Sequence, residues 1–423
     1  MATLCIYEDQ EYRKLLPLVW LRPIFSLRCG ATTLLEKVEA AYPKITTDIL
    51  CRASMVPLVK RLYPARMVGK LSTSPSILFL NARLNMTPEL SRHMALSGPD
   101  EIFTSDGDIV GARLTGVSLQ AIRTAAVAGG FPPLSQLSEK VTRTPVKAAL
   151  IRYPWDLVAA NSAALQDDFR RLASGGPRQL GRVYDGVIQL NPSQIFVAKG
   201  AVVKPGVVLD AEEGSIFIDE QAHIMALSYI QGPAYIGKSS VIKVGAKIYG
   251  STSIGDVCKV GGEVEGSIIH SYSNKQHDGF LGHAVIGSWV NLGADTNNSD
   301  LKNNYGNVRA YIDGEWTDTG NMFVGLTMGD HSKSGINSMF NTGTVVGVCC
   351  NVFGPSFLPK WIPSFSWGGS SGLQEYDPDK AIEVARKVMA RRKVALLHEE
   401  EELLREVFSQ TVLERQRVMH ELS

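Results

Sequence analysis

The stretch IDEQAHIMALSYIQGPAYIGKSSVIKVGAKIYGSTSIGDVCKV, residues 218–260, carries an aliphatic residue at every sixth position. The members of this row are Ile218, Ile224, Ile230, Ile236, Ile242, Ile248, Ile254 and Val260. Four places after each stands a small or β-branched residue: Ala222, Ser228, Ala234, Ser240, Ala246, Thr252, Cys258 or Val264. Neither the helical period of 3.6 nor the strand period of 2 explains a unit of six. A fixed six-residue unit is typical of a β-solenoid.

In such a fold, three hexapeptides form one triangular coil, and each unit supplies a short strand and a corner. The aliphatic residue points into the prism and stacks on the same position of the next coil, while the small residue fits near a corner. Glycine follows the aliphatic residue at Gly237, Gly255 and Gly261, where it permits a positive φ or a close approach. Each coil buries its apolar surface only against its neighbours, so the ends need caps. We therefore expect a left-handed parallel β-helix over residues 191–368.

The same row extends in both directions but is interrupted twice. Upstream it includes Val197, Val203 and Leu209, as far as an insert at 211–214; downstream it includes Phe280, Ile286, Leu292, Met328, Phe340, Val346 and Val352. The interruptions cover residues 266–279 and about 298–321. We expect each to leave the prism as a loop, and loops on rigid scaffolds often carry function.

The flanking segments show no period of six. Residues 1–185 mix apolar strands with helical patterns, which favours an α/β domain; the predicted strands are Thr3–Tyr7, Ile77–Leu80 and Val110–Leu114, and the predicted helices Leu119–Val127 and Trp155–Ala173. Glycine pairs at 129–130 and 175–176 would end these helices. Residues 175–191 are interpreted as a linker and 368–372 as a hinge. The C-terminal segment, 373–423, is interpreted as a helical cap with helices at Asp379–Arg392 and Glu399–Met419.

Composition excludes several classes of function. The chain has 43 Lys and Arg against 42 Asp and Glu, so it has no overall field to attract nucleic acid or acidic membranes. Its six cysteines show neither CxxC pairs nor metal-finger spacing, which indicates reduced thiols and no metal site. The N-terminus lacks a secretory pattern, and the uncharged stretch 334–359 is too rich in Gly, Asn, Ser and Pro for a membrane helix. We expect a soluble cytoplasmic protein.

The runs HDGFLGHAVIG at 277–287 and NLGADT at 291–296 resemble the acetyltransferase domain of the bifunctional N-acetylglucosamine-1-phosphate uridylyltransferase/glucosamine-1-phosphate acetyltransferase family, in its variant bacterial form. The segments GGEV (261–264), LKNNYGNV (301–308), MGDHSKSGIN (328–337) and FNTGTVVG (340–347) extend the resemblance over most of residues 190–368. The first half is similar to a diverged sugar nucleotidyltransferase domain through LRPIFSLRCG at 21–30 and YPWDLVAANSAALQDDF at 153–169.

The resemblance implies an enzyme of nucleotide-sugar and cell-wall precursor synthesis. It would transfer an acyl group, acetyl from acetyl-CoA, to the amine of glucosamine-1-phosphate or a related amino-sugar phosphate. In the family three prisms associate in parallel and the site lies between neighbours, which implies a homotrimer.

The first half departs from the ordinary nucleotidyltransferase pattern. The glycine-rich loop with its following arginine is missing, and the strand Ile77–Leu80 leads into Asn81-Ala82-Arg83 in place of the usual metal-binding aspartate. Arg22, Arg28 and Gly30 are the candidates that would replace the nucleotide-binding loop. Because nucleotidyl transfer needs a cation, a nucleoside triphosphate and Mg²⁺ are expected only if this domain is active.

Acylating an amine requires a base that accepts a proton during attack on the thioester. Histidine suits this role because its pKa lies near working pH, and the resemblance places His277 at the position of the family's base. Phe280 stands in place of the family's tyrosine and lacks its hydroxyl.

The remaining site residues are candidates for two ligands. Those for the sugar phosphate are Lys247, Tyr249, Glu263, Lys275, Phe280, Asn291, Asn304 and Tyr305. Those for coenzyme A are Lys302, Arg309 and Lys333, which would meet its phosphates, and the backbone N–H groups around Gly293 and Ala294, which would stabilise the thioester oxyanion.

Three alternatives stay open from the sequence alone. The chain could be bifunctional and also transfer a nucleotidyl group. It could be a zinc-dependent hydratase of the carbonic-anhydrase type, which also uses this prism, with His270, His277 and His283 as metal ligands. It could also be a sensor that binds ligand without turnover.

Overall fold

The computed structural model describes residues 3–127, 131–137, 141–174 and 178–422. The chain divides into two compact units. The first comprises residues 1–15, 21–27 and 32–152, and the second residues 16–20, 28–31 and 153–423. The predicted domain bounds at 185, 191, 368 and 373 stay a prediction. The second compact unit includes the helix Pro154–Leu172, which lies before residue 185 in the sequence.

The first unit is built on a six-stranded mixed sheet. In spatial order its strands are Thr47–Leu50, Thr3–Tyr7, Ser76–Asn81, Asp108–Thr115, Glu101–Ser105 and Thr142–Pro145. Asp108–Thr115 is antiparallel to both neighbours, and the other pairings are parallel. The α-helices are Leu34–Ala41, Val56–Leu62, Pro88–His93 and Gly116–Val127. This confirms the predicted α/β class; the helix stop at 129–130 lies outside the described residues.

Short elements complete this description. The 3-10 helices are Gln10–Leu15, Ile24–Ser26, Ala53–Met55, Leu134–Gln136 and, in the second unit, Pro192–Gln194. Two-residue strands lie at Arg28–Cys29 and Thr32–Thr33. The helix Leu34–Ala41 begins where it does because Thr33 and Glu36 form a reciprocal capping box, which satisfies main-chain N–H groups at the helix start.

The second unit is a left-handed parallel β-helix, a three-sided prism. Face A has the strands Ile188–Leu190, Val208–Asp210, Tyr229–Gln231, Lys247–Ile248, Glu263–Glu265 and Phe280–Gly282, followed by the pair Asn297–Asn298 and Met339–Phe340. Face B has Ile195–Val197, Ile216–Ile218, Ala234–Ile236, Thr252–Ile254, Ile268–Ile269, Val285–Ile286, Thr327–Met328, Val345–Val346 and Trp361–Ile362. Face C has Arg182–Val183, Val202–Val203, His223–Ile224, Val241–Ile242, Lys259–Val260, Asn274–Lys275, Lys333–Ser334, Asn351–Val352, Ser366–Gly369 and Gly372–Glu375.

Strand register confirms the predicted coil of three hexapeptides. Ile224 pairs with Ile242, Ile230 with Ile248 and Ile236 with Ile254, each partner lying three units further along the chain. These side chains are fully buried in one continuous core cluster. Burying each isoleucine contributes about 1.5–3 kcal/mol. The predicted small row from Ala222 to Cys258 is buried as well.

Glycine is required after the aliphatic residue because the main chains of successive coils approach closely there. A Cβ at Gly237 would lie 2.5 Å from the carbonyl carbon of Gly255 on the next coil, so no side chain fits there. Gly237 and Gly255 do not have positive φ; the positive φ values at corners fall on other residues, such as Ser239 and Val257.

The first predicted excursion is wrong. Residues 266–279 stay in the prism, because Ile268–Ile269 and Asn274–Lys275 are strands of faces B and C. The period of six fails here because three corners are shortened, after Val260, Val264 and Leu281. The inward row therefore continues through Val264, Ile269, Lys275, Leu281 and Ile286. Val264 therefore belongs to the aliphatic row and not to the small row, and Leu281 takes the place predicted for Phe280.

The second predicted excursion is confirmed. The chain leaves face A after Asn297–Asn298 and returns on face B at Thr327–Met328, with an antiparallel hairpin of Arg309–Ile312 and Glu315–Asp318 in between. We call residues 299–326 the long loop. The side chain of Asn298 satisfies the main chain of Gly282 at the point where the long loop begins. Its oxygen accepts from the Gly282 N–H and its amide donates to the Gly282 carbonyl, both at 2.9 Å.

Both ends of the prism differ from the prediction. The predicted linker at 175–191 contains strands of the first coil, Arg182–Val183 and Ile188–Leu190, and its residues 175–177 lie outside the described part. The predicted hinge at 368–372 is the tight turn of an antiparallel hairpin.

The C-terminal helices are Pro378–Ala390, His398–Gln410 and Val412–Leu422, so the predicted second helix is broken at Thr411. Leu373 and Val418 join the prism core, as expected of a cap. Of the helices that the structure describes, none has the length and apolar character needed to cross a membrane.

Candidate functional site

His277 lies on an outer corner of the prism, between the strands Asn274–Lys275 and Phe280–Gly282. Its side chain is exposed. Its carbonyl oxygen accepts a hydrogen bond from Nζ of Lys275 at 2.9 Å. Over the described ranges the imidazole has no hydrogen-bond partner, so both ring nitrogens are accessible to a ligand.

Lys275 occupies the inward aliphatic row, in register with Val260. It is 2% exposed, and its Nζ also donates to the Gly261 carbonyl at 3.1 Å. Burial lowers the pKa of Lys275 to about 8, although the carboxylates of Asp278, Asp295 and Glu263 oppose the shift. Its ammonium is thus enclosed and fixes the corner that carries His277. The predicted direct contact of Lys275 with a sugar phosphate does not fit this burial.

A groove of about 400 Å³ opens next to this corner, between face C and the end of the helix Pro378–Ala390. Its lining residues are Lys259, Tyr272, Asn274, Gln276, Trp289, Asn291, Lys333, Val388, Arg391 and Arg392. We call it the cationic groove, because four of these residues are cationic and none is a carboxylate. It brings together Asn291 and Lys333, which were predicted for different ligands.

The charges of the cationic groove repel one another. The pKa of Lys259 is lowered by burial and then by the nearby charges of Arg392, Lys243 and Arg391. Burial also lowers the pKa of Lys333, whose Nζ donates to the His331 carbonyl at 2.8 Å. Uncompensated cations at a concave surface are suited to bind an anion.

Aromatic and amide groups complete the groove. The rings of Tyr272 and Trp289 are stacked, with centroids 4.2 Å apart. Nη2 of Arg392 donates to the side-chain oxygen of Asn274 at 2.9 Å, which fixes the guanidinium against face C. Sequence reasoning missed Arg391 and Arg392 because the segment was interpreted only as a cap, although the basic run 391–393 was visible.

Other predicted sugar contacts lie on face A. Lys247 and Glu263 pair at 3.2 Å, and Glu263 is in register with Phe280. The hydrogen bond with Glu263 raises the pKa of Lys247. Tyr249 contacts Tyr229 through an edge-on ring pair. These side chains form an outward row that does not line the cationic groove.

The predicted coenzyme A contacts are dispersed. The Gly293 N–H donates to Oγ of Ser334 at 3.0 Å, so it is not free to stabilise an oxyanion as predicted. The carbonyl of Ala294 accepts from the Asn337 N–H. In the long loop, Lys302 bonds to the Asn307 carbonyl and Arg309 to that of Trp316.

Asn304 and Tyr305 also lie in the long loop. The side-chain oxygen of Asn304 accepts from the Gly306 N–H at 3.1 Å, and Tyr305 is 68% exposed. Neither lines the cationic groove.

The three histidines considered as zinc ligands differ in environment. His277 is exposed, His270 is buried, and Nδ1 of His283 contacts Oδ2 of Asp300 at 2.8 Å. Within the described part of the chain, no three His, Cys, Asp or Glu residues converge as metal ligands. The six cysteines are free thiols.

The predicted nucleotide contacts Arg22, Arg28 and Gly30 are divided between the two units. Arg22 belongs to the first unit, whereas Arg28 and Gly30 belong to the second. The Arg28 guanidinium lies over the Tyr235 ring, with 5.1 Å to the centroid. Gly30 donates to Asn161 and accepts from Ser253, so its main chain anchors the helix Pro154–Leu172 to the prism.

Ion pairs fill the carboxyl end of the central strands in the first unit. Glu8 is fully buried and pairs with Arg52 at 2.7 Å, also accepting from two main-chain N–H groups. Asp9 pairs with the buried Arg83 at 2.7 Å. These arginines are therefore neutralised by carboxylates of the chain and are not available to phosphates.

Residues 4–176 match the family described as sugar nucleotidyl transferase. The bifunctional protein GlmU of Synechococcus elongatus is 26% identical over 249 residues, which are 54% of this chain and 51% of that protein. A bifunctional sugar-1-phosphate nucleotidylyltransferase/acetyltransferase of Sulfurisphaera tokodaii is 31% identical over 143 residues, 33% of this chain and 36% of that protein. The chain spans about half the length of the first of these relatives.

Among solved structures, the UDP-N-acetylglucosamine acyltransferase of Campylobacter jejuni aligns with 56% of this chain and 98% of its own length, at 16% identity and a TM-score of 0.24.

Proposed function

We infer that this chain, a diverged relative of the bifunctional GlmU proteins, is an acyltransferase that moves an acyl group from acyl-CoA to the amine of an amino-sugar phosphate. Acetyl-CoA and glucosamine-1-phosphate are the substrates that the family resemblance favours. The observation that supports this most is the exposed His277 beside the cationic groove, whose four cations face no carboxylate of the lining.

The arrangement suits the chemistry. A phosphate in the cationic groove would be attracted by Lys259, Lys333 and the two arginines, while the sugar amine faces the neighbouring corner. His277 would accept the proton that the amine loses as it attacks the thioester carbonyl, and the tetrahedral intermediate would then expel the thiolate of coenzyme A. Asn291 is exposed in the groove and would donate to a sugar hydroxyl.

Three further parts of the proposal rest on the family resemblance. Lys302 and Arg309 would meet coenzyme A phosphates, three parallel prisms would assemble into a homotrimer, and the protein would act in the cytoplasm. The Glu8–Arg52 pair is buried and the Asp9–Arg83 pair is partly buried, so these carboxylates and arginines are paired with each other and not presented to Mg²⁺ or a triphosphate. We therefore propose acyl transfer alone.

The test is release of free thiol from acetyl-CoA with a panel of amino-sugar phosphates. The wild type should release thiol, and His277→Ala should lose about 10²–10⁴-fold of the rate because the base is gone. His223→Ala is the matched control, since His223 is an exposed histidine on face C. Equal rates for the wild type and His277→Ala would remove His277 from the mechanism, and no thiol release with any acceptor would overturn the proposal.

A further inference from the structure

A second cavity lies where the hairpin of the long loop meets the last coils and the final helix. Its volume is about 170 Å³, and it is lined by Tyr311, Trp316, Pro359, Lys360, Trp361, Glu414, Arg417 and Val418. We call it the aromatic pocket. It shares no lining residue with the cationic groove.

Three aromatic rings shape this pocket. The Tyr311 ring centroid lies 4.8 Å from that of Trp361 and 5.5 Å from that of Trp316. The Tyr311 hydroxyl accepts from Nη1 of Arg417 at 3.4 Å. Tyr311 is buried and braced by its neighbours, whereas Trp316 is 42% exposed and presents ring surface to a ligand.

Cations gather at the same place. Nζ of Lys360 lies 5.8 Å from the Trp316 centroid and donates to the Arg309 carbonyl at 3.2 Å. Burial lowers the pKa of Lys360, and the charges of Lys302 and Arg309 lower it further. Glu414 is the one carboxylate of the lining, while the charges that act on Lys360 are those of Lys302 and Arg309. The rim therefore carries excess positive charge.

We propose that the aromatic pocket binds the base of a nucleotide whose phosphates contact the cations at its rim. The volume holds about six waters, which is space for one ring system and not for a whole nucleotide. A base offers a flat face to aromatic rings and carries phosphates on its ribose that can interact with Lys360, whereas a neutral sugar or an acyl chain carries no charge. Base stacking on an aromatic side chain contributes about 1–3 kcal/mol.

Two kinds of ligand carry a base with phosphates. One is an adenine nucleotide, such as the nucleotide part of coenzyme A, and the other is a pyrimidine nucleotide, such as that of a nucleotide sugar. Coenzyme A as the source rests on the proposed function, whereas the proposal that the aromatic pocket binds a nucleotide does not. Calorimetric titration of the full chain with adenosine 3′,5′-bisphosphate and, separately, with UDP distinguishes them.

We expect one of the two nucleotides to bind the wild type, and Trp316→Ala to weaken that binding about tenfold or more. Lys360→Gln should weaken it several-fold and reduce its dependence on salt, because a contact with phosphate is lost. Phe357→Ala, which removes an exposed aromatic ring outside the pocket, is the control and should bind as the wild type does.

His277→Ala separates the two proposals, since it should slow thiol release about 10²–10⁴-fold and leave nucleotide binding unchanged. Absence of binding by both nucleotides at millimolar concentration, or equal binding by the wild type, Trp316→Ala and Lys360→Gln, would overturn the pocket while leaving acyl transfer intact. Nucleotide binding without any thiol release would support the pocket and count against the acyltransferase.

Discussion

Replacing Lys275 by methionine tests the most unusual position of the prism, a lysine in a row of aliphatic side chains. Methionine keeps the length of the side chain and removes its charge. The pKa of Lys275 falls from 10.5 to about 8, a difference that corresponds to about 3 kcal/mol against the buried charge. The substitution also leaves the carbonyls of Gly261 and His277 without this donor, at about 1 kcal/mol each. The net expectation at pH 7 is a stabilisation of about 1 kcal/mol.

The pH dependence gives a sharper test. Below pH 8 both the folded and the unfolded chain carry the proton on Lys275, so the folded state bears the full cost. Between about pH 8 and 10.5 the folded state releases its proton first, and the free energy of unfolding therefore rises by about 3 kcal/mol. Lys275→Met should lose this rise. The same variant should transfer acyl groups about tenfold more slowly, because the corner that carries His277 is no longer fixed.

The assay is urea denaturation followed by circular dichroism at pH 7, 8, 9 and 10, with the wild type and Lys275→Met in parallel. The difference between the two chains cancels the other groups that titrate. Lys199→Met, which replaces an exposed lysine at a corner of the prism, is the control and should keep the wild-type profile. Superimposable pH profiles for the wild type and Lys275→Met would refute the argument that a buried charge resides in the inward row.

Two further outcomes follow from the core and the groove. Ile236→Ala should lower the free energy of unfolding by about 2–5 kcal/mol because its side chain is fully buried, as a thermal melt would measure; Leu227→Ala, at an exposed corner, should change it by about 0.5 kcal/mol or less, and equal effects would contradict the inward row. Replacing Arg391 and Arg392 together by glutamine should raise KM for a phosphorylated acceptor about tenfold and leave kcat within about twofold, because the cations bind phosphate in ground and transition states alike. Lys380→Gln, at the start of the same helix, is the control for steady-state kinetics, and an unchanged KM in the double variant would exclude the cationic groove as the phosphate site.

The period of six predicted the prism because one physical constraint repeats there without change, from Ile218 to Val260. It failed between Val260 and Ile286, where corners shorten and the inward residue no longer falls at a fixed interval. The sequence predicts Lys275 in a loop, as a candidate contact for the sugar phosphate, and only the strand register places it in the inward row.

Some candidate site residues could be predicted from local sequence, whereas others depend on contacts between distant parts of the chain. Local patterns and family resemblance singled out His277, and the structure places it on an accessible corner. Arg392 reaches Asn274 across 118 residues of sequence, and no local pattern encodes such a contact. The predicted role of Gly293 fails because its N–H is taken by Ser334, a partner that only the stacked coils bring near.

Asn298 allows the β-helix to accommodate changes in the length of the long loop. Its side chain supplies to Gly282 the donor and acceptor that a neighbouring strand would otherwise provide, so the ladder is complete at the point where the long loop departs. Insertions or deletions beyond that residue therefore do not shift the coils that follow. The loop that carries the hairpin of the aromatic pocket can diverge between relatives at little cost in stability, and ligand preference can change there while the scaffold is preserved.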